Sequence, residues 1–95
     1  MAVVSDFENL QGRRQILQAL LFATENAVRI VEFCASSSPD EAITARDLAE
    51  AFDITEFQAD VILTMQVRRF SPHSVATVRA QLHDVESEIE HFDKG

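Results

Sequence analysis

The sequence predicts an all-α fold, and two features of the chain support that prediction. Only two Gly and two Pro occur among its 95 residues, and long stretches without either favour helices over hairpins. Apolar residues also recur at helical spacing, most regularly in the last stretch, at intervals of 3, 4, 3, 4 and 3: Val75, Val78, Leu82, Val85, Ile89 and Phe92. Such a seam is typical of a helix that packs lengthwise against another helix. We therefore expect an all-α domain of four helices, or five if the second helix is broken.

The composition indicates one small, acidic, globular domain. Hydrophobic residues make up 46% of the chain and include seven Phe, which suits a packed core better than a disordered tail. The formal net charge is −8. This charge disfavours tight binding to nucleic acid or to anionic membranes, because both depend on Lys and Arg.

Cysteine usage and the first residues predict a cytoplasmic protein. Cys34 is the single cysteine, so an internal disulfide is excluded and a small buried thiol is expected. The first residues have neither the basic nor the apolar region of a secretory signal. The longest apolar run, 19–23, is far too short to span a membrane.

The first predicted helix runs from Ser5, which begins a capping box with Glu8, to about Ala35. Two neighbouring apolar seams follow its length: Leu10, Leu17, Leu21, Thr24, Val28 and Val31, and beside them Ile16, Leu20, Ala23, Ala27, Ile30 and Cys34. Three serines and Pro39 follow. The helix is expected to end there, because the residue before proline avoids the helical region.

The second predicted helix spans about 41–52. Pro39 suits its first turn, with Ser38 as the cap and Glu41 three residues later. Thr44 and Asp47 form a second capping pattern, which gives the helix an alternative start at Thr44.

A three-residue turn, 53–55, precedes the third predicted helix over 57–70, which Thr55 caps together with Gln58. The apolar side chains of this helix form two patches: Phe57, Val61 and Met65 in one, and Ala59, Leu63, Val67 and Phe70 in the other, with Ile62 between them. A helix that is apolar nearly all round is covered from two directions. It is either the central helix of a monomer or lies between its own core and a second molecule.

The last predicted helix begins with Ser71 as its cap and Pro72 at its first position. We expect it to pair antiparallel with the first helix as an arm, over about 5–20 and 74–92. The residues between, about 21–73, are expected to form a small helical knob.

Two stretches of the chain resemble the A subunit of bacterial DNA gyrase and its topoisomerase IV counterpart. The first opens as Arg-x-x-Ile-Leu, at Arg13, Ile16 and Leu17. The second has the run Gln-Ala-x-x-Ile-Leu-x-Met-x-x-Arg-Arg: Gln58, Ala59, Ile62, Leu63, Met65, Arg68 and Arg69. The order of parts is also similar to the coiled-coil and exit-gate segment of that family, and the resemblance covers roughly 80 of the 95 residues.

The resemblance implies a dimer contact at the exit gate of a type IIA topoisomerase, where the transported DNA duplex leaves. In that family of ATP-dependent isomerases the nucleophilic Tyr lies on another domain. This chain contains no Tyr, so we expect no catalytic activity of the chain itself. Residues 70–74 depart from the Leu-rich turn of the family. Two expectations stay open: the chain is the excised gate of a larger subunit, or it is a small stand-alone relative that keeps the dimerising knob, which the altered turn favours slightly.

The resemblance also divides the two patches of the third helix. Ala59, Leu63, Val67 and Phe70, with Ile62, coincide with apolar positions of the family and are assigned to the chain's own core. The remaining face is the candidate dimer interface: Phe57, Val61, Thr64, Met65 and Arg68. The expected partner is a second copy, or else one of the subunits of gyrase or topoisomerase.

No pattern in the sequence indicates a catalytic, cofactor or metal site. Glu88 and His91 form one Glu-x-x-His pair, but a di-iron bundle needs two such pairs and two further Glu. A solvated helix face explains the pair better. The three His are not spaced as a zinc set, and no Gly-rich elbow accompanies Cys34 or the Ser residues.

Two alternative functions stay open. Residues 44–69 have the outline of a small helix-turn-helix DNA-binding regulator. Its reading helix would begin with Glu56 and include Asp60, however, and carboxylates repel phosphates. The other alternative is an adaptor that binds one full subunit of gyrase and modulates its gate.

Overall fold

The computed structural model of the protein describes residues 6–37 and 40–94, and within these ranges it contains helices, turns and no strands. The helices are α1 (Asp6–Glu25), α2 (Ala27–Ala35), α3 (Ala45–Phe52), α4 (Glu56–Thr64) and α5 (Pro72–Lys94), with a 3₁₀ turn (Val67–Phe70) between α4 and α5. The predicted all-α fold is confirmed.

The two long helices, α1 and α5, pack antiparallel. The rings of Phe7, near the start of α1, and Phe92, near the end of α5, lie 5.7 Å apart between centroids. Large aliphatic side chains fill the space between the helices, and we call them the arm cluster: Leu10, Leu17, Leu20, Val78, Val85 and Ile89. Of the six seam residues predicted on the last helix, Val78, Val85 and Ile89 are buried. Val75 and Leu82 are partly buried, and Phe92 is 46% exposed.

The short helices α2, α3 and α4 close over the second half of α1 and enclose another core. We call it the knob cluster: Ala19, Ala23, Ile30, Leu48, Ala49, Ala59 and Ile62. Leu48 is fully buried in it. Phe22 and Phe33 pack against the cluster and contact the Phe52 ring edge to face, at 6.0 and 5.8 Å between centroids.

The first helix is not continuous, and the prediction that it runs unbroken to Ala35 is wrong. It breaks at Asn26, whose backbone leaves the helical region with φ −124° and ψ 23°. The Asn26 side-chain amide donates to the carbonyl oxygen of Phe22 at 3.0 Å, and local bonds of this kind compete with the helical ladder. Beyond the break, Val28 and Val31 of the predicted seam are exposed.

The second helix begins at Ala45, so the predicted start near Pro39 is wrong, because residues 40–44 are not helical. The alternative start is confirmed. The Thr44 hydroxyl accepts from the Asp47 N–H, and the Asp47 carboxylate accepts from the Thr44 N–H, each at 3.1 Å. This capping box satisfies two backbone donors at once. The predicted caps Ser5 and Ser38, and Pro39, lie outside the described residues.

The turn after α3 is as short as predicted. Asp53 ends α3 with φ 56°, a left-handed conformation that Asp tolerates better than most residues. Thr55 then caps α4: its hydroxyl accepts from the Gln58 N–H at 3.0 Å, and the Gln58 side chain accepts from the Thr55 N–H at 3.3 Å.

The third helix is shorter than predicted, because α4 ends at Thr64 instead of continuing to Phe70. Met65 and Gln66 are extended, with ψ 149° and 144°. The Thr64 hydroxyl donates to the carbonyl oxygens of Asp60 and Val61 at 3.0 and 3.2 Å. Back-bonding of this kind disfavours continuation of a helix.

The early end of α4 changes which side chains are buried. Ala59 and Ile62 lie in the core, as assigned from the sequence. The assignment is wrong for Leu63, Val67 and Phe70, which are 38%, 83% and 37% exposed. For Val67 and Phe70 the assignment rested on one regular helix over 57–70, and the extended pair after Thr64 rotates these two side chains away from that register. Leu63 lies within α4, so its exposure comes from incomplete cover of that side of the helix and not from the early end.

Candidate functional site

An open groove of about 350 Å³ lies where α4 and the 3₁₀ turn meet α1. Two side chains of α1, Ile16 and Leu20, form its apolar side together with Val61 and Met65. Polar and basic residues complete its lining: Thr64, Gln66, Arg68 and Arg69. The groove therefore combines an apolar floor with a basic edge, which suits a protein contact better than a small polar substrate.

Local sequence fixes α4 beside the groove. Thr55 and Gln58 begin the helix with reciprocal hydrogen bonds. The Gln58 side-chain amide also donates to the carbonyl oxygen of Gln15 on α1, at 3.3 Å. Ala59 is completely buried between the elements, and its small side chain lets α4 approach α1 closely. The cap of α4, the hydrogen bond from Gln58 to α1 and the small side chain of Ala59 together hold α4 close to α1 beside the groove.

Four of the five sequence-predicted interface residues meet at this groove: Val61, Thr64, Met65 and Arg68. Phe57 does not line it. Its ring lies on the first turn of α4 and is 49% exposed. Thr64 and Arg68 are exposed, whereas Val61 and Met65 are partly buried and pack against both the arm and the knob clusters. Val61 and Met65 thus also serve the chain's own core.

The predicted interface lacks four residues that line the groove: Ile16, Leu20, Gln66 and Arg69. Ile16 and Leu20 belong to a predicted seam of the first helix, and Leu20 is indeed buried in the arm cluster. Arg69 follows Arg68 in the 3₁₀ turn, and both line the groove.

Charges of both signs lie on the two elements that meet α1 at the groove. Glu56 and Asp60 occupy α4, and Arg68 and Arg69 occupy the 3₁₀ turn, and all four are exposed. Within residues 6–37 and 40–94, the structure records no ion pair for any of these four side chains. By contrast, Arg46 pairs with Glu50 at 3.4 Å on α3.

One carboxyl group outside the groove has a shifted pKa. The pKa of Asp47 lies below its usual value, first because the Thr44 backbone N–H donates to the carboxylate, then because of the Thr44 hydroxyl. Hydrogen bonds to the charged form favour that form. This shift belongs to the cap of α3.

Outside the groove, the described part of the chain has a free thiol and no cluster of metal ligands. Among those residues, no group of three or more His, Cys, Asp or Glu is placed to hold a metal ion. Cys34 is a free, partly buried thiol. No helix in the described residues is long and apolar enough to cross a membrane.

Comparison with known proteins agrees with the resemblance seen in the sequence. The chain is 29% identical over 87 residues to the DNA gyrase A subunit of Synechocystis sp., which is 92% of this chain and 10% of that protein. It is similar to the A subunit of DNA gyrase. The same subunit of Metamycoplasma arthritidis is 28% identical over 87 residues, or 92% of this chain and 10% of that protein. That of Ureaplasma parvum is 25% identical over 80 residues, or 84% of this chain and 9% of that protein.

The gyrase similarity concerns one segment of a much longer protein. The chain spans about a tenth of the length of the curated relatives it matches. It matches no protein-family profile. No solved structure matches it.

Proposed function

We propose that this chain is a non-catalytic helical module, resembling the exit gate of the gyrase A subunit, that pairs with a second copy of itself through the face formed by α4 and the 3₁₀ turn. The observation that carries the proposal is the groove, since it gathers Val61, Thr64, Met65 and Arg68 on one open surface. Those residues belong to the interface that the gyrase resemblance implies.

Exposed apolar side chains on α4 and the 3₁₀ turn support the proposal. Phe57, Leu63 and Val67 are large apolar side chains that the folded chain leaves exposed on or beside α4. Of the three, Phe57 belongs to the predicted interface, and a large apolar side chain left exposed there is a candidate contact. Covering the exposed half of Phe57 in both copies contributes roughly 2 kcal/mol before ordering costs. This contribution alone is smaller than the entropic cost of association, so the other residues of the face have to add to it, and we expect a dimer of modest affinity.

The non-catalytic part of the proposal rests on composition. In the family that the chain resembles, DNA cleavage uses a Tyr nucleophile, and this chain has no Tyr. We also propose a cytoplasmic location. The single thiol, free and partly buried in Cys34, is in keeping with it.

A DNA-binding regulator is the second candidate, because α3, the turn 53–55 and α4 do have the outline of a helix-turn-helix. Its reading helix would present Glu56 and Asp60, both exposed, in a chain of net charge −8. These two carboxylates would repel the phosphates of DNA. We expect no mobility shift of duplex DNA with micromolar protein near physiological salt; a shift that weakens steeply with added salt would favour the regulator.

Sedimentation analysis tests the proposed pairing. We expect the wild-type chain to be dimeric at high micromolar concentration, and Phe57→Asp to be monomeric, because a charge replaces the apolar ring in both copies. The matched control is Val28→Asp, an exposed valine on α2 away from the groove, which should stay dimeric.

The helicity of both variants is measured by far-UV circular dichroism, because a variant that has lost helicity does not report on the interface. Thr64→Arg, at an exposed position on the groove, is a second interface variant that leaves the core untouched. A wild-type chain that stays monomeric at high micromolar concentration would refute self-pairing. If equimolar gyrase then captured the chain, the adaptor alternative would be supported instead.

A further inference from the structure

We propose that the α4 face is self-complementary in charge, so that Glu56 and Asp60 of one copy lie against Arg68 and Arg69 of the second copy. This inference rests on the proposed pairing and specifies its geometry. The contact is isologous: the two copies of the face lie antiparallel about a two-fold axis near Thr64.

The two pairs of charges lie at opposite ends of one surface. Glu56, Asp60 and Thr64 are spaced four residues apart, which places them in one row along α4. The row is about 12 Å long at the helical rise. Thr64 ends it at the groove, and Arg68 and Arg69 line that same groove. The face is therefore acidic at the start of α4 and basic at the 3₁₀ turn.

A two-fold axis brings unlike ends together. In a symmetric dimer the same patch meets its own copy in reverse direction, so the acidic row of one copy faces the basic turn of the other, twice per dimer. The structure records no ion pair for these four side chains within residues 6–37 and 40–94. They are thus free to pair across an interface.

A second copy fits this face better than other partners do. A net charge of −8 on each chain opposes self-association in general, so a stable pair needs its local contacts to bring opposite signs together. Nucleic acid would pair with the two arginines but would be repelled by Glu56 and Asp60. A surface with both signs in line is complementary to itself under the two-fold.

Charge reversal in two complementary variants tests the inference. One variant is Glu56→Lys with Asp60→Lys, and the other is Arg68→Glu with Arg69→Glu. Each alone presents like charges to its own copy, so the dimer dissociation constant should rise at least tenfold. Mixed in equal amounts, the two variants should form a heterodimer in preference to either homodimer, measured by sedimentation or native mass spectrometry.

Two controls separate the local contact from net charge and from folding. Glu25→Lys with Glu32→Lys changes the net charge by the same amount as Glu56→Lys with Asp60→Lys. Both positions are exposed and lie outside the face, so this control should not weaken the dimer. Because Glu56 lies in the first turn of α4, where Lys disfavours the helix, Asp60→Lys alone is also measured. Combining all four reversals in one chain should restore the homodimer.

The outcomes distinguish this inference from the proposed function. If the wild type dimerises but both reversal variants dimerise equally well and show no preference for each other, the charge pairing is wrong and the dimer stands. A wild type that never dimerises overturns both. If the chain with all four reversals does not dimerise but the two double variants form a heterodimer when mixed, the two-fold pairing is still supported. The mixture tests the same contacts.

Discussion

The arm and the knob achieve burial in different ways. The arm cluster consists of large aliphatic side chains between two long helices, of 20 and 23 residues. Four of the seven residues of the knob cluster are alanines, and the knob's own helices have only eight or nine residues. Long helices gain stability along a continuous seam, whereas such short helices are unstable alone and depend on close packing and on their caps.

The aromatic side chains reinforce this difference. Phe22, Phe33 and Phe52 form a layer over the knob, and the Arg29 guanidinium lies 5.3 Å from the centre of the Phe52 ring. The arm has one ring pair, Phe7 with Phe92, at its far end. Small residues inside and aromatic residues outside make the knob compact, and its fold should therefore tolerate change less well than the arm.

The largest effect is expected from Leu48→Ala in the knob. Leu48 is fully buried, and the surrounding short helices cannot easily close the cavity, so the free energy of unfolding should fall by roughly 3 kcal/mol. Urea unfolding followed by circular dichroism measures the change. A loss below about 1 kcal/mol would mean that the knob adjusts more freely than its packing indicates.

Val85→Ala makes the matching change in the arm. Val85 is also almost fully buried, but fewer apolar atoms are removed, so the expected loss is about 1.5–2 kcal/mol. The same urea titration applies. If Val85→Ala costs more than Leu48→Ala, the ranking of arm and knob is reversed.

Thr44→Ala removes the cap of α3 and should lower the free energy of unfolding by about 1 kcal/mol.

The carboxyl group of Asp47, next to this cap, should make the stability of the protein depend on pH. The pKa of Asp47 is lowered in the folded protein, chiefly by the Thr44 backbone N–H. The contribution of the Asp47 carboxylate to the free energy of unfolding is therefore fully present above its unfolded pKa, and it is lost as the pH falls through its folded pKa. The Tm difference between wild type and Asp47→Asn should therefore shrink in acid. A constant difference would contradict this cap.

Gly12→Ala should give the smallest effect, and a stabilising one. Gly12 lies inside α1, and an added Cβ would meet nothing within 4 Å. Alanine favours the helix by about 0.5–1 kcal/mol over glycine. Differential scanning calorimetry should show a higher Tm, and a lower one would reveal a role for Gly12 in the arm that its open surroundings do not indicate.

Local sequence was enough to predict the all-α class, the Thr44 and Thr55 capping boxes and the buried seam Val78, Val85 and Ile89. Each of these depends on residues close together in the chain. Caps join residues three apart, and a seam follows from helical period alone, so no knowledge of distant neighbours is needed. The resemblance to the gyrase A subunit was likewise visible in short runs of sequence.

Where the helices stop and which faces are covered emerged only from the folded chain. Asn26 breaks the first helix and Thr64 ends α4, although apolar periodicity continues past both. Val61 and Met65 pack against both clusters, while Leu63 and Val67 are exposed. Periodicity shows that a helix has an apolar face, but burial depends on which other elements reach that face, and those elements are distant in the chain.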